Sequence, residues 1–192
     1  MKLDRKQQII DKTIHLFALQ GYEGVSMRIL ADEVGIASSV LYHYFSDKNV
    51  LLKEIYTITN TNLGKHRAEL PPTKNANDML MQRIMFQLDH AEEIVYVLKY
   101  FLSQRRFLSK FKTGYVPPKT TQHIEEVLAF GQKTGEFYVL DIELDAKVIT
   151  HAINGFILEY YPAKLTKKEK DVLADLMHNF LLRALVKGGE KI

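Results

Sequence analysis

The apolar residues of this chain recur at helical spacing from one end to the other, and no segment alternates in the way a half-buried strand does. Ile10, Ile14 and Phe17 stand at i, i+4 and i+7 near the start, which places them on one face of a helix. Leu173 and Phe180 belong to a similar stripe near the other end. The pattern predicts an all-α fold of about nine helices.

Capping residues and glycines divide the N-terminal third of the chain into four helices. The predicted N-caps are Asp4, Ser26 and Asp47, because a short polar side chain can accept hydrogen bonds from the first N–H groups of a helix. Gly21 and Gly35 are predicted to end the first and second helices, since glycine readily adopts the left-handed conformation. A long fourth helix is predicted to follow Asp47.

Two short helices joined by a glycine-containing turn, at about 26–45, have the pattern of a helix-turn-helix. In the second of them, the residues predicted to pack inward are Ala37, Leu41, Tyr44 and Phe45. The opposite face carries Ser39, Tyr42 and His43, with Ser38 beside them. Hydroxyl groups and an imidazole on an exposed helix can bond phosphate oxygens or base edges of DNA. Because every amphipathic helix has polar residues outside, two alternatives stay open: Tyr42 at a protein contact and His43 simply solvated.

Residues 9–52 closely resemble the N-terminal domain of TetR-family transcriptional regulators. The resemblance rests on the segment IIDKTIHLFALQGYEGVSMRILADEVGIASSVLYHYFSDKNVLL, and a weaker similarity covers EEVLAFGQKTGEF at 125–137. It implies a DNA-binding domain at 1–48 and a regulatory body, for ligand binding and dimerisation, at 49–192. It also implies a repressor that binds a palindromic double-stranded operator as a homodimer and responds to a small-molecule effector.

The same resemblance assigns roles to individual positions. The residues implied to contact DNA are Ser26, Arg28, Ser38, Ser39, Val40, Tyr42, His43 and Lys48. Ser26 and Arg28 would meet phosphate or a base at the start of the second helix. Lys48 would bind a phosphate at the start of the fourth helix, where the helix dipole also favours an anion.

Two long apolar patterns, near 143–160 and 166–187, form the C-terminal part of the chain. Considered by themselves they fit ordinary intramolecular core, whereas the resemblance implies that they pair with their copies in a twofold dimer. Such a dimer would place two reading helices one turn of DNA apart. The predicted interface residues are Val148, Ala152, Gly155, Leu173, Met177, Phe180, Leu181 and Ala184.

The middle of the chain is rich in aromatic rings. The corresponding helices enclose an effector pocket in the TetR family, and pockets for small molecules are mostly apolar with a few polar groups. The resemblance therefore implies a largely apolar effector, with candidate contacts at Tyr56, Phe86, Tyr96, Tyr100, Phe130 and Tyr160. Ordinary helix-bundle core is the alternative for each of these residues.

The remaining features exclude other classes. The chain has no cysteine, its net charge is only +3, and it has neither a signal-peptide core nor a long apolar run, so a cytoplasmic protein without a membrane segment is expected. The histidines have no zinc-protease spacing, and neither a phosphate-binding glycine loop nor a nucleophile elbow occurs. We therefore expect no enzyme, metal site or cofactor. The alternative is a helical ligand-binding or enzymatic protein whose N-terminal helices do not read DNA.

Overall fold

The computed structural model describes residues 2–108 and 121–186. These residues form nine helices and no strand, which confirms the all-α prediction. The helices are α1 Lys2–Gly24, α2 Met27–Val34, α3 Ser38–Tyr44, α4 Lys48–Ala68, α5 Ala76–Asp89, α6 Ala91–Leu108, α7 Gln122–Thr134, α8 Ile142–Tyr160 and α9 Lys167–Leu185. The predicted end of the sixth helix near residue 112 and the start of the seventh near 120 lie outside the described residues. No helix in the described part of the chain is both long and apolar enough to cross a membrane.

The helices belong to two compact units. The first unit contains α1 to α4 together with α6, and the second contains α5, α7, α8 and α9. The sequence-based division after residue 48 stays a prediction.

Local chemistry explains the short helices of the first unit. The Ser26 side chain accepts a hydrogen bond from the Ile29 N–H at 3.2 Å, and Gly35 follows α2 in the left-handed conformation with φ 72°. Gly21, with φ 70°, interrupts α1 where the sequence predicted its end. The prediction that Asp4 caps this helix is wrong, because α1 already begins two residues earlier.

The core of the first unit joins the N-terminal helices to α6. Phe17 is fully buried and meets the Tyr96 ring edge-on, with 5.1 Å between ring centroids. The Tyr96 hydroxyl donates to the Leu52 carbonyl oxygen at 2.7 Å. The Lys99 ammonium donates to the carbonyl oxygens of Ala18 and Leu19. These carbonyls lie just before the break of α1 at Gly21, and the C-terminal end of a helical segment attracts a positive charge. Both aromatic packing and polar contacts therefore hold α6 to α1 and α4.

In the second unit, α5 packs on α7 and α9, and α7 packs on α8. Ile84, Ile124, Ile153 and Ala174, one from each helix, are buried. Their apolar burial supplies the main stabilising term for this unit.

Gly131 of α7 lies in close contact with the ring of Phe137, which follows the helix. A Cβ atom there would lie 2.2 Å from a ring carbon of Phe137, a buried residue whose N–H donates to the Gly131 carbonyl at 3.0 Å. We expect Gly131→Ala to lower the free energy of unfolding by about 1–3 kcal/mol in urea titrations, because the ring must leave its packed position. In the control Gly64→Ala, the added Cβ meets nothing within 4 Å, so its unfolding free energy should stay unchanged or rise by up to about 1 kcal/mol. Equal effects of the two substitutions would contradict the packing argument.

Candidate nucleic-acid interface

The helix-turn-helix consists of α2, the turn at 35–37 and α3. Leu30 of α2 and Leu41 of α3 are completely buried, and Phe45, directly after α3, is buried beside them at 1% exposure. The turn is closed by the N–H of Ile36, which donates to the Ala31 carbonyl at 2.9 Å. These contacts fix the direction of α3 and determine which of its side chains face outward.

The outward face of α3 carries the residues that the sequence predicted there. Tyr42 is 52% exposed, Val40 is 40% exposed, and Ser39 and His43 are also exposed. On α2, Arg28 is exposed as well. A phenol, a hydroxyl, an imidazole and a guanidinium can all donate hydrogen bonds to phosphate oxygens or base acceptors.

Two other predictions for α3 are wrong. Tyr44 is 38% exposed and Ala37 is exposed, although both were expected to pack inward with Leu41 and Phe45. The reason is that α3 has only seven residues, Ser38–Tyr44. Ala37 precedes the helix, so helical spacing does not determine where its side chain points. Tyr44 is the last helical residue, and the chain turns extended at Phe45, so the Phe45 ring fills the core at this end of α3 and Tyr44 does not.

Lys48 is held by the protein's own backbone. Its ammonium donates to the carbonyl oxygens of Tyr22 at 2.9 Å and Val25 at 3.0 Å, and it lies 3.8 Å from the centroid of the Tyr22 ring. The Tyr22 hydroxyl in turn donates to Asn49 at 2.6 Å. This network, which the sequence did not predict, joins the start of α4 to the connection between α1 and α2.

The two predicted serine contacts differ in exposure. Ser26 is exposed but uses its hydroxyl oxygen as the cap of α2, so its O–H group is what it can offer to DNA. Ser38, the first residue of α3, is half-buried.

The predicted effector-binding aromatics fall into two groups. Tyr56 and Tyr100 stack with 4.5 Å between ring centroids, and Tyr96 is buried one turn before Tyr100, so these three lie in the first unit. The other three, in the second unit, are the buried Phe86, the half-buried Phe130 and Tyr160, which is 41% exposed.

The predicted dimer residues also divide by exposure. Phe180 is 67% exposed and Val148 is 62% exposed, and Gly155 and Ala184 are exposed as well. Ala152 and Leu173 are half-buried, whereas Met177 and Leu181 are buried inside the chain's own core. The predicted interface omits four exposed apolar residues near them, namely Leu144, Phe156, Val172 and Leu176. Leu144, Phe156 and Leu176 lie four residues from the predicted Val148, Ala152 and Phe180, and Val172 lies four residues before Leu176, so helical spacing was the available signal.

Comparison with known proteins identifies the N-terminal helices. Residues 9–55, which span most of α1, all of α2 and α3 and the start of α4, match the model of the bacterial regulatory proteins of the tetR family. The N-terminal helices of this chain are those of the TetR family.

Two curated relatives carry related names. The HTH-type transcriptional regulator AcrR of Shigella flexneri is 30% identical over 66 residues, which cover 34% of this chain and 31% of the relative. The uncharacterized HTH-type transcriptional regulator YerO of Bacillus subtilis is 27% identical over 157 residues, which cover 78% of this chain and 54% of the relative. The matched part of this chain therefore spans less than two thirds of either relative.

Solved structures show the same fold over nearly the whole chain. The ketosteroid transcriptional regulator KstR2 of Mycobacterium tuberculosis has a TM-score of 0.74 at 21% identity, covering 95% of both chains. FadR from Bacillus subtilis, solved in complex with stearoyl-CoA, has a TM-score of 0.65 at 18% identity, covering 92% of this chain and 97% of that one. A putative regulator from Saccharomonospora viridis, solved with choline, has a TM-score of 0.70 at 19% identity, covering 97% of this chain and 100% of that one.

Proposed function

We propose that this TetR-family protein is a transcriptional repressor that binds a palindromic double-stranded DNA operator as a homodimer and is controlled by a small-molecule effector. The observation that carries the proposal is the exposed face of α3, with Ser39, Tyr42 and His43, on a helix whose other side is anchored by Leu41. In a helix-turn-helix the second helix enters the major groove, where side chains of this kind reach bases and phosphates.

Selection of bound fragments from random double-stranded DNA tests the proposal and identifies the operator in the same experiment. A pair of inverted half-sites, with centres about 34–36 Å apart, should be enriched. Recovery of no sequence preference, or of single half-sites only, would contradict the proposal and favour a ligand-binding or enzymatic protein instead.

The tyrosine on α3 gives a specific prediction. Tyr42→Phe removes only the hydroxyl of an exposed ring, so we expect weaker binding to the selected DNA with unchanged helicity and stability. The loss should be about 0.5–1.5 kcal/mol for each hydrogen bond. Tyr138→Phe, at another half-exposed tyrosine outside α3, is the matched control, and fluorescence anisotropy measures both. If Tyr42→Phe and the unchanged protein bind the selected DNA with equal affinity, the Tyr42 hydroxyl does not contribute to DNA binding.

Lys48 gives a prediction that depends on salt. An ammonium has three N–H donors, and two are used by the carbonyls of Tyr22 and Val25, which leaves one for a DNA phosphate. If that contact forms in each subunit, Lys48→Ala should lower the slope of log K against log salt by about two units.

Affinity should also fall at low salt, since the connection between α1 and α2 loses its anchor. Lys53→Ala, which removes an exposed charge from the same helix, is the control. A weaker complex with DNA and an unchanged salt slope would show that Lys48 positions the helix-turn-helix without contacting a phosphate.

The proposed dimer is supported by the exposed apolar faces of α8 and α9. On α9, Val172, Leu176 and Phe180 recur every four residues and are 50%, 62% and 67% exposed. On α8, Val148 is 62% exposed, and the small residue Gly155 leaves room for a neighbouring helix. A row of exposed apolar side chains is typical of an interface, and a second copy of the chain presents a matching face by twofold symmetry.

The proposed effector control is supported by the fold and by what two structural neighbours bind. One neighbour was solved with stearoyl-CoA and another with choline, so proteins of this fold accept small molecules of opposite charge. In this chain, the stacked rings of Tyr56 and Tyr100 lie in the same unit as the helix-turn-helix. We propose that an effector with a largely apolar body binds near these aromatic helices and changes the affinity for DNA.

A further inference from the structure

A buried polar cluster lies between α5 and α7 in the second unit. Arg83 and Gln87 stand one turn apart on α5 and are 8% and 2% exposed. The Gln87 amide nitrogen lies 3.0 Å from Nε2 of His123 on α7, and His123 is 8% exposed. The apolar residues Ile84 and Val127 on the same two helices are fully buried, so the cluster has an apolar environment.

Several polar atoms of this cluster have no hydrogen-bond partner among the described residues. Within residues 2–108 and 121–186, nothing accepts a hydrogen bond from Nε or Nη1 of Arg83, and nothing donates to Oε1 of Gln87. Burial lowers the pKa of the Arg83 guanidinium, and the nearby Glu126 carboxylate opposes that effect. A guanidinium stays charged in proteins, so a positive charge with unused donors lies inside the unit.

Glu126 does not satisfy this charge. Its carboxylate oxygen is 4.0 Å from Nη2 of Arg83, which is too long for a hydrogen bond. Its side chain is also 51% exposed, so water screens the attraction. A buried guanidinium without hydrogen-bond acceptors lowers the stability of the folded protein. Such a group needs an explanation, and a role in binding a ligand is one.

We infer that Arg83 binds the anionic group, a carboxylate or a phosphate, of the small-molecule effector, and that Gln87 binds a hydrogen-bond donor of the same ligand. The planar fork of a guanidinium matches the two oxygens of either group, and the Gln87 carbonyl can accept a hydrogen bond from a neighbouring hydroxyl or amide of the ligand. The buried side chains of α5 and α7 would contact its apolar part. A cationic ligand is disfavoured here, because it would meet the charge of Arg83. This inference rests on the proposed effector control and assigns the effector its charge.

Stability measurements on the full chain without ligand form the first half of the test. Arg83→Met keeps an unbranched apolar stem and removes the unsatisfied charge, so its melting temperature should be equal to or higher than that of the unchanged protein. Glu126→Gln should have little effect. If Arg83 instead serves as the structural partner of Glu126, both substitutions will lower the melting temperature, and that outcome overturns the inference.

Ligand probes with one shared tail form the second half. Calorimetric titration and thermal shift should detect binding of octanoate or octyl phosphate, and no comparable effect of 1-octanol or octyltrimethylammonium. Whichever of the two anions binds more tightly identifies the group as carboxylate or phosphate. Arg83→Met should weaken anion binding about tenfold or more, as the loss of a charged hydrogen-bond donor implies. Lys133→Met, which removes an exposed charge from α7, should leave it unchanged.

The outcomes separate this inference from the proposed function. All probe experiments omit DNA, so a failure to find an operator would not affect them. Equal responses to octanoate and 1-octanol, no response to either anion, or an unchanged anion response in Arg83→Met each overturn the anion site. Any of these results would leave DNA binding and its own test untouched.

Discussion

Replacement of Phe180 by glutamate should convert the proposed dimer into a monomer that remains folded. Phe180 is 67% exposed in the single chain, so the fold itself does not depend on this ring. In a dimer formed through α8 and α9, however, the glutamate would place a charge in an apolar contact, and an unpaired buried charge costs about 3–5 kcal/mol. Because each interface of a twofold dimer contains the position twice, the cost is incurred twice.

Light scattering at micromolar concentration, together with circular dichroism, measures both parts of this expectation. Operator affinity should fall by orders of magnitude in the same variant, since a monomer loses the second, effectively intramolecular half-site contact. Leu140→Glu is the matched control, because Leu140 is 81% exposed and lies outside both helices. A dimer that persists in Phe180→Glu would place the interface elsewhere. A loss of helicity would instead show that Phe180 belongs to the core.

The parts of the fold that sequence reasoning predicted correctly depend on local chemistry. The caps at Ser26 and Asp47 and the left-handed Gly35 involve hydrogen bonds and dihedral angles within four residues, so the sequence contains all the required information. The outward position of Tyr42 follows from the same helical period that buries Leu41.

Sequence reasoning fails where tertiary packing determines whether a side chain is buried or which groups it contacts. Met177 and Leu176 are adjacent apolar residues of similar size, and only the placement of α9 on α5 buries the first and leaves the second 62% exposed. The resemblance implies that Lys48 contacts a DNA phosphate, and that stays a prediction; the sequence did not predict its bonds to Tyr22 and Val25, because they depend on how α1, interrupted at Gly21, approaches α4.

The Arg83 cluster had no recognisable signal in the sequence. Arg83 and Gln87 are polar residues four apart on a helix, a pattern that is typical of a solvated face. Burial of these two side chains results from α7 packing over α5, which the amphipathic pattern of α5 alone does not predict.

Phe17→Ala should destabilise the first unit as a whole, α6 included, and by more than any other single substitution considered for it. Phe17 is fully buried against Tyr96, and removal of such a ring costs about 3–5 kcal/mol. That is a large part of the roughly 5–15 kcal/mol that stabilises an ordinary domain. Leu19→Ala on the same helix is the control. Because Leu19 is already 38% exposed, its replacement should lower the free energy of unfolding much less.

Hydrogen exchange can show which helices share this loss. If the first unit unfolds cooperatively, Phe17→Ala should speed exchange in α6 as much as in α1, because Tyr96 and Lys99 tie α6 to α1 and α4 through the Leu52 and Ala18 carbonyls. The amides of α5 and α9 belong to the other unit and should keep their protection. If α6 also keeps its protection while α1 to α3 lose theirs, then α1 to α3 unfold without α6. The boundary after residue 48 would then describe the cooperative units better than the grouping of α6 with the N-terminal helices.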